Sequence, residues 1–282
     1  MTPSASTRLA VLLGDPVSQS VSPAIHNDAF DALGIDVVYT AARVPADRFG
    51  VALAGLHALG AVGANVTVPH KKAAYARAET LGPMARASGA VNTLVRTPTG
   101  WSGHNTDVDG FAEPLRALGA DLSGARAVVI GAGGAARATV LALREGFGLD
   151  RVDVAARRIA QAERLVDELG IGDAELRAVG LDAADLVTPA LVVNATSVGM
   201  HGAEATPCPG ARFREGQIVY DLVYGPAPTR LVRDARAAGA QAIDGLAMLV
   251  GQAAGAFRLW TGEAMDQARA LAVARDALAR RR

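Results

Sequence analysis

The chain has 282 residues, room for about two domains at roughly 100–200 residues each. Basic and acidic residues balance at 28 each, so no global positive field argues for nucleic acid as a partner. The only cysteine, Cys208, excludes a disulfide framework within the chain and predicts a reducing, cytoplasmic setting with Cys208 as a structural loop thiol.

In chain order, residues 8–14 (RLAVLLG) predict a strand. The apolar run stops at Gly14-Asp15-Pro16, too short for a secretory signal. Residues 22–34 predict a helix, with Ser22 as its N-cap, Pro23 at its first position and Gly34 as its stop. Strands are expected at 35–44 and 61–68, with a helix at 46–60 between them. Residues 63–72 (GANVTVPHKK) then place Lys71 and Lys72 at a helix start, where the helix dipole disfavours cations. Pro69 reads as the residue that starts this helix. Short helices follow, then a hairpin near 90–104 turning at Pro98–Gly100.

A helix at 107–119 leads to a second unit. Residues 125–145 read as strand, glycine turn and helix, 151–157 as a strand and 159–170 as a helix. Residues 190–200 and 216–226 each read as a strand ending in a polar loop, and the tail from Gly245 is mostly helical. Gln252 and Arg258 interrupt the apolar stretch at 246–260, which makes it a buried helix and not a membrane span. The terminal Arg280-Arg281-Arg282 reads as a solvated helix end, and there is no internal repeat or low-complexity linker. The alternation of strand and helix predicts an α/β fold with mostly parallel sheets.

Gly131-Ala132-Gly133-Gly134-Ala135-Ala136 follows a strand and opens a helix, the context in which a G-x-G-x-x-G/A pattern signals a dinucleotide. The small residues permit a tight turn, and a pyrophosphate can rest on the helix N–H groups. An NAD site places an acid at the end of the second strand, about twenty residues on. Here that strand ends in Ala156-Arg157-Arg158, with Asp153 too early. Two guanidiniums without a local acid suit a 2′-phosphate, so NADP is expected over NAD.

The first unit gathers small polar groups at strand ends, where parallel sheets bind ligands. Ser20 and Ser22 follow the first strand, Asn65, Thr67 and Lys71 the third, and Asn92, Asn105, Thr106 and Asp107 flank the hairpin. The set suits a small polyol acid. Taken singly, Ser22 and Asp107 also suit helix caps, and Asn65 and Asn92 suit turns. His57, His70, His104 and His201 lack metal-ligand spacing, no metal is expected, and His26 receives no role.

These stretches resemble the shikimate 5-dehydrogenase family, NADP-dependent enzymes of aromatic amino-acid biosynthesis. The resemblance runs through residues 14–27, 63–72, 89–94, 103–110, 131–137, 194–200, 220–232 and 244–262, in the family's order. It implies two α/β domains. Residues 1–106 with 246–282 form a substrate domain to which the C-terminal helices return, and residues 107–245 form a Rossmann-type NADP-binding domain. It implies Lys71 and Asp107 as the catalytic pair, with Lys72 a solvated neighbour. Ser20 and Ser22 hold the substrate carboxylate, Tyr224 reaches that side, and Thr67, Asn92 and Gln252 bind its hydroxyls. Gly131, Ala132, Gly133, Gly134 and Ala135 cradle the pyrophosphate, and Arg157 and Arg158 take the 2′-phosphate. Asn194, Ala195, Thr196, Ser197, Val223 and Gly245 line the nicotinamide side. The family often has Asn-Arg-Thr or Asn-Arg-Ser where this chain has Ala156-Arg157-Arg158. The implied reaction is reversible reduction of 3-dehydroshikimate to shikimate by a monomer or homodimer without nucleic-acid or membrane partners. A quinate/shikimate dehydrogenase using NAD(P), and a non-catalytic NADP-binding sensor on the same fold, are the alternatives.

Overall fold

Apolar β-branched runs between small-residue turns set the strands of a computed structural model that describes residues 2–170, 174–200, 202 and 204–280. His201, Arg281 and Arg282 lie outside the described residues. The chain divides into two units, residues 1–106 with 250–282 and residues 107–249.

The first unit opens with β1 (Arg8–Gly14), α1 (Ser22–Ala32), β2 (Val37–Arg43), α2 (Phe49–Ala58) and β3 (Gly63–Val66). Next come α3 (Lys71–Arg77), β4 (Thr80–Leu81), α4 (Pro83–Ser88), β5 (Thr93–Arg96) and β6 (Trp101–His104). Its sheet runs β2-β1-β3-β5-β6-β4. Strands β1, β2 and β3 are parallel, and the β5–β6 hairpin pairs antiparallel to β3. Val11, Leu13, Ala64, Val66 and Leu94 fill its core with Phe49 and Trp101.

Three local expectations are corrected. Helix α1 begins at Ser22, with Pro23 in its first turn and Val21 as N-cap, so Ser22 does not cap it. Its hydroxyl instead accepts from Ser20 Oγ at 3.0 Å. Strand β3 stops at Val66 and does not reach Val68, because Thr67 to His70 form a turn in which His70 N donates to Thr67 O. Pro69 sits in that turn after a cis peptide bond, and His70 is the N-cap of α3.

The second unit contains α5 (Asp107–Ala117), β7 (Arg126–Ile130), α6 (Gly134–Gly146), β8 (Arg151–Ala156), α7 (Ile159–Leu169) and β9 (Glu175–Gly180). It continues through β10 (Leu191–Asn194), β11 (Ile218–Asp221), α8 (Arg230–Ala237) and β12 (Gln241–Asp244). The six strands are all parallel in the order β12-β11-β10-β7-β8-β9. Counted from the first strand of the unit, that is the doubly wound 3-2-1-4-5-6 order. Val128, Ile130, Ala155, Val192 and Val219 form its core with Leu231 and Ala235 of α8.

Helix α9 (Gly245–Thr261) starts in the second unit and ends in the first, followed by α10 (Gln267–Ala279). In the first unit Trp260 Nε1 donates to Leu94 O at 3.0 Å, and the adjacent Gly63 is glycine because a Cβ there would strike that indole. The Arg269 guanidinium grips the Asp28 carboxylate through two bonds of 2.6 and 2.8 Å, tying α10 to α1. Among the described residues, no helix is long and apolar enough to cross a membrane.

His26 is wholly buried in an aromatic stack, 4.3 Å from the Tyr39 ring centroid and 5.2 Å from that of Trp260. Neither ring nitrogen has a partner among the described residues. Burial pushes its imidazole down to about 3, against 6.5 when solvated. The unfolded chain therefore binds the extra proton between those values, and stability present above 6.5 is lost as pH falls towards 3, by up to about 1.4 kcal/mol per pH unit. Denaturant midpoints at pH 7.5 and about pH 5 should show this loss in the parent and a shallower one in His26→Phe. Equal slopes in the two proteins would refute it.

Candidate functional site

Each sheet reverses its strand order beside its first strand, and ligands of open α/β sheets bind at the carboxyl ends beside such a reversal. In the first unit the reversal lies between β1 and β3. Ser20 and Ser22 follow β1, and Thr67 and Lys71 follow β3. The two strand ends approach so closely that a Cβ at Gly14 would collide with Thr67 Cγ2 and lie 2.8 Å from Val17 Cγ1. Backbone bonds from Thr67 N to Leu13 O (2.9 Å) and Asp15 N to Val68 O (2.9 Å) hold that approach.

The antiparallel hairpin delivers further polar groups to the same edge. Asn92 precedes β5 and gives its carbonyl to Val66 N at 2.7 Å. Its amide donates to Thr106 Oγ1 (3.0 Å), and its Oδ1 accepts from Thr106 N (2.8 Å) and Thr93 Oγ1 (3.0 Å). Asn65 is buried among these groups, accepting from Tyr39 Oη at 2.8 Å and donating to Thr93 Oγ1 at 3.1 Å. Burial drives the Tyr39 phenol far above its ordinary value, so it stays a donor and fixes which way the Asn65 amide points. Gln252 lies one turn before Gly255 on α9, and a Cβ at Gly255 would meet Thr106 Cβ at 3.2 Å. Ser20, Ser22, Thr67, Lys71, Asn92 and Gln252 thus share one unit, five of them on the turns and junctions at one edge of its sheet.

Lys71 opens α3 and is half-buried, whereas Lys72 is exposed. The imidazole of His70 stacks on Phe49 at 4.6 Å and bonds Val44 O through Nε2 at 2.7 Å. That anchor, and the bond from Val91 N to Lys71 O (3.0 Å), fix where the lysine leaves the backbone. Asp107 and Tyr224 belong to the second unit, Asp107 as the first residue of α5 directly after Thr106.

In the second unit the reversal lies between β7 and β10. Gly131 follows β7 with φ 119°, and a Cβ there would stand 3.0 Å from Ala195 O. No described group lies within 4 Å of a Cβ built at Gly133 or Gly134, so these two face open space. No side chain caps the start of α6. Arg157 and Arg158 are exposed after β8, and no carboxylate among the described residues pairs with either. Asp153 is spent within the strand, 2.9 Å from Arg126 and 3.1 Å from Arg151.

Asn194 ends β10, and its Oδ1 accepts from Thr196 N (3.0 Å) and Thr196 Oγ1 (2.7 Å). Its Nδ2 donates to Asp221 Oδ1 at 2.8 Å, and Val223 N donates to the same oxygen at 3.0 Å. A Cβ at Gly245 would collide with Leu222 O, which explains that glycine. Asp221 and Thr229 are not expected from the sequence. The available signal is a carboxylate closing the apolar strand Ile218-Val219-Tyr220-Asp221. Cys208 lies buried in a loop, and burial pushes its thiol up. No metal-binding cluster occurs among the described residues.

Known proteins share this fold. The shikimate dehydrogenase substrate binding domain family matches residues 12–94, and the shikimate 5′-dehydrogenase C-terminal domain family matches residues 245–275. A shikimate dehydrogenase (NADP(+)) of Salinibacter ruber is 47% identical over 94% of this chain and 95% of its own. The shikimate 5-dehydrogenase of Thermus thermophilus, solved with NADP(H) and shikimate, is 41% identical with a TM-score of 0.87, covering 96% of this chain and 100% of its own. That of Listeria monocytogenes, solved with shikimate and NAD, is 30% identical with a TM-score of 0.88, covering 97% and 98%.

The open space at Gly133 makes a direct check. Gly133→Val should keep the unfolding midpoint within about 2 °C, because φ −92° suits any residue and a Cβ there meets nothing within 4 Å. Binding of a reduced dinucleotide, followed by its fluorescence, should weaken at least about tenfold as the side chain fills the cradle. Unchanged binding would remove the glycine turn from the site.

Proposed function

The chain belongs to the NADP-dependent shikimate dehydrogenase family, and on that premise we propose that it reduces 3-dehydroshikimate reversibly to shikimate in the pathway to aromatic amino acids. The observation that carries this reading is 47% identity to a shikimate dehydrogenase (NADP(+)) across nearly the whole of both chains. The single, buried cysteine fits a reducing, cytoplasmic setting.

We assign substrate binding to the first unit and cofactor binding to the second. The residues fit NADP: a glycine turn open to solvent, an uncapped helix start and two arginines without a competing acid. When bound, the cofactor supplies the hydride. Gly131 to Ala135 hold its pyrophosphate, Arg157 and Arg158 its 2′-phosphate. Asn194 to Ser197, Val223 and Gly245 receive the nicotinamide half. Ser20 and Ser22, joined by their own hydrogen bond, present hydroxyls to the substrate carboxylate, and Tyr224 is assigned to the same group. Thr67, Asn92 and Gln252 bind the ring hydroxyls.

Lys71 and Asp107 handle the proton. In reduction the Lys71 ammonium donates to the carbonyl oxygen as it gains negative charge, and in oxidation the amine takes the hydroxyl proton back. Asp107 is the second member of the pair. Lys72, exposed at the next position, takes no part in the transfer.

Lys71→Ala should lower kcat by about 10²-fold or more, with the KM for shikimate little changed. A kcat within about tenfold of the parent would exclude Lys71 as the proton carrier. For the cofactor, kcat/KM measured with NADP⁺ and NAD⁺ against shikimate and quinate should be highest for NADP⁺ with shikimate. Arg157→Ala should erode the preference for NADP⁺ by at least about tenfold. Equal use of both cofactors by the parent would overturn the 2′-phosphate assignment.

A further inference from the structure

The fully buried carboxylate of Asp221 is a hub that the reaction itself does not use. It accepts three hydrogen bonds from three segments of the second unit. Asn194 Nδ2 (2.8 Å) comes from the end of β10, Val223 N (3.0 Å) from the loop after β11, and Thr229 Oγ1 (2.6 Å) from the start of α8. Each donor is itself committed. Thr229 is the N-cap of α8 and accepts from Val232 N at 3.3 Å. Asn194 holds Thr196 through both its backbone N–H and its hydroxyl, and also donates to Val198 O at 3.2 Å. Val198 N closes the turn on Thr196 Oγ1 at 3.1 Å. Gly245 N donates to Val223 O at 3.3 Å, so the loop after β11 also sets the first turn of α9.

No cation pairs with Asp221 among the described residues. Burial pushes its carboxyl upward, the Thr229, Val223 and Asn194 bonds oppose that, and Asp244 on the neighbouring strand adds to it. A buried anion without a counter-ion is costly, and the neighbouring strand β10 ends in a neutral asparagine. The sheet does not require a carboxylate at this point. What three donors from three segments achieve is to lock two loops before any ligand arrives.

We propose that Asp221 is the positioning residue that holds the 194–198 and 222–224 loops in the geometry that receives the nicotinamide half of the cofactor. This rests on the assignment of Asn194 to Ser197, Val223 and Gly245 to that half. Asp221 acts through Asn194, Val223 and Thr229 and does not itself touch cofactor or substrate.

The test compares NADPH with adenosine 2′,5′-bisphosphate, which carries the 2′-phosphate but no nicotinamide. In Asp221→Ala, NADPH affinity and kcat should each fall at least about tenfold, while bisphosphate affinity stays within about twofold. Asp221→Asn should recover NADPH affinity and kcat to within about threefold of the parent, since its Oδ1 still accepts from Asn194 and Val223. Ser197→Phe, an exposed position on the loop, tests the underlying assignment by weakening NADPH and not the bisphosphate. If Ser197→Phe does so and folded Asp221→Ala binds and turns over NADPH within about twofold of the parent, the positioning role fails alone. Equal weakening of both ligands by Asp221→Ala would show general loosening and overturn it. If Ser197→Phe leaves NADPH affinity unchanged, the assignment falls and takes the proposal with it. Should Asp221→Ala not fold, Thr229→Val removes one of the three bonds. A selective loss of about threefold for NADPH supports the role, and no loss overturns it.

Discussion

Backbone N–H and C=O groups at the end of a parallel strand must find new partners where the ladder stops. Where neighbouring strands lead their chains away in opposite directions, no crossover covers the gap between their ends. That constraint operates twice in this chain, beside β1 and β3 and beside β7 and β10. Both gaps are closed partly by the chain itself, through Thr67 N to Leu13 O and through Ala195 N to Ile130 O at 2.8 Å. Both also need a glycine where the backbones converge, Gly14 in the first unit and Gly131 in the second. The polar residues that follow those strands are therefore delivered by topology to the edge where open α/β sheets bind ligands, before any question of chemistry arises.

Holding polar side chains at such edges carries a desolvation cost of about 1–3 kcal/mol for each group left unpaired. The two units meet it differently. In the first, a neutral chain from Tyr39 through Asn65, Thr93, Asn92 and Thr106 satisfies one group with the next, and the Tyr39 hydroxyl sets its direction. In the second, a carboxylate gathers three donors at a single point. A neutral network tolerates the arrival of a polar ligand with little electrostatic disturbance. A buried carboxyl group held by three donors resists rearrangement, because any donor that leaves it strips a buried acceptor of its partner.

Much of this is legible in the sequence, for identifiable reasons. The strand–turn–helix around Gly131 announces itself because tight turns and close backbone approach leave only small residues. The reading of Arg157 and Arg158 rests on the missing acid, and Asp153 is committed to Arg126 and Arg151. Strands β9 and β12 and helix α8 escape the sequence pattern. β9 and β12 are the edge strands of the sheet, only partly buried, so their apolar pattern is weak. Helix α8 is short and rich in arginine. Ser22 reads wrongly as a cap because capping is local chemistry, while its hydroxyl is turned towards Ser20 by a loop whose path depends on the whole sheet. The role of Asp221 escapes for the same reason, since three donors 2 to 27 residues away define it.

The mixed sheet of the first unit has a chemical consequence that a wholly parallel one lacks. In a parallel sheet only residues that follow a strand can reach the carboxyl edge, so every contact there is drawn from the start of a crossover. The β5–β6 hairpin runs antiparallel to β3, which places the residue before β5 and the residues after β6 beside the end of β3. Asn92 and Thr106 arrive at that edge as a hydrogen-bonded pair on a rigid hairpin, with no helix needed between them. Two polar groups fixed to each other and to the sheet lose little freedom when a hydroxylated ligand binds, whereas the same groups on separate loops would each have to be ordered. A small polyol carries several hydroxyls that differ mainly in orientation, and such preset donors and acceptors are what distinguishes one arrangement from another.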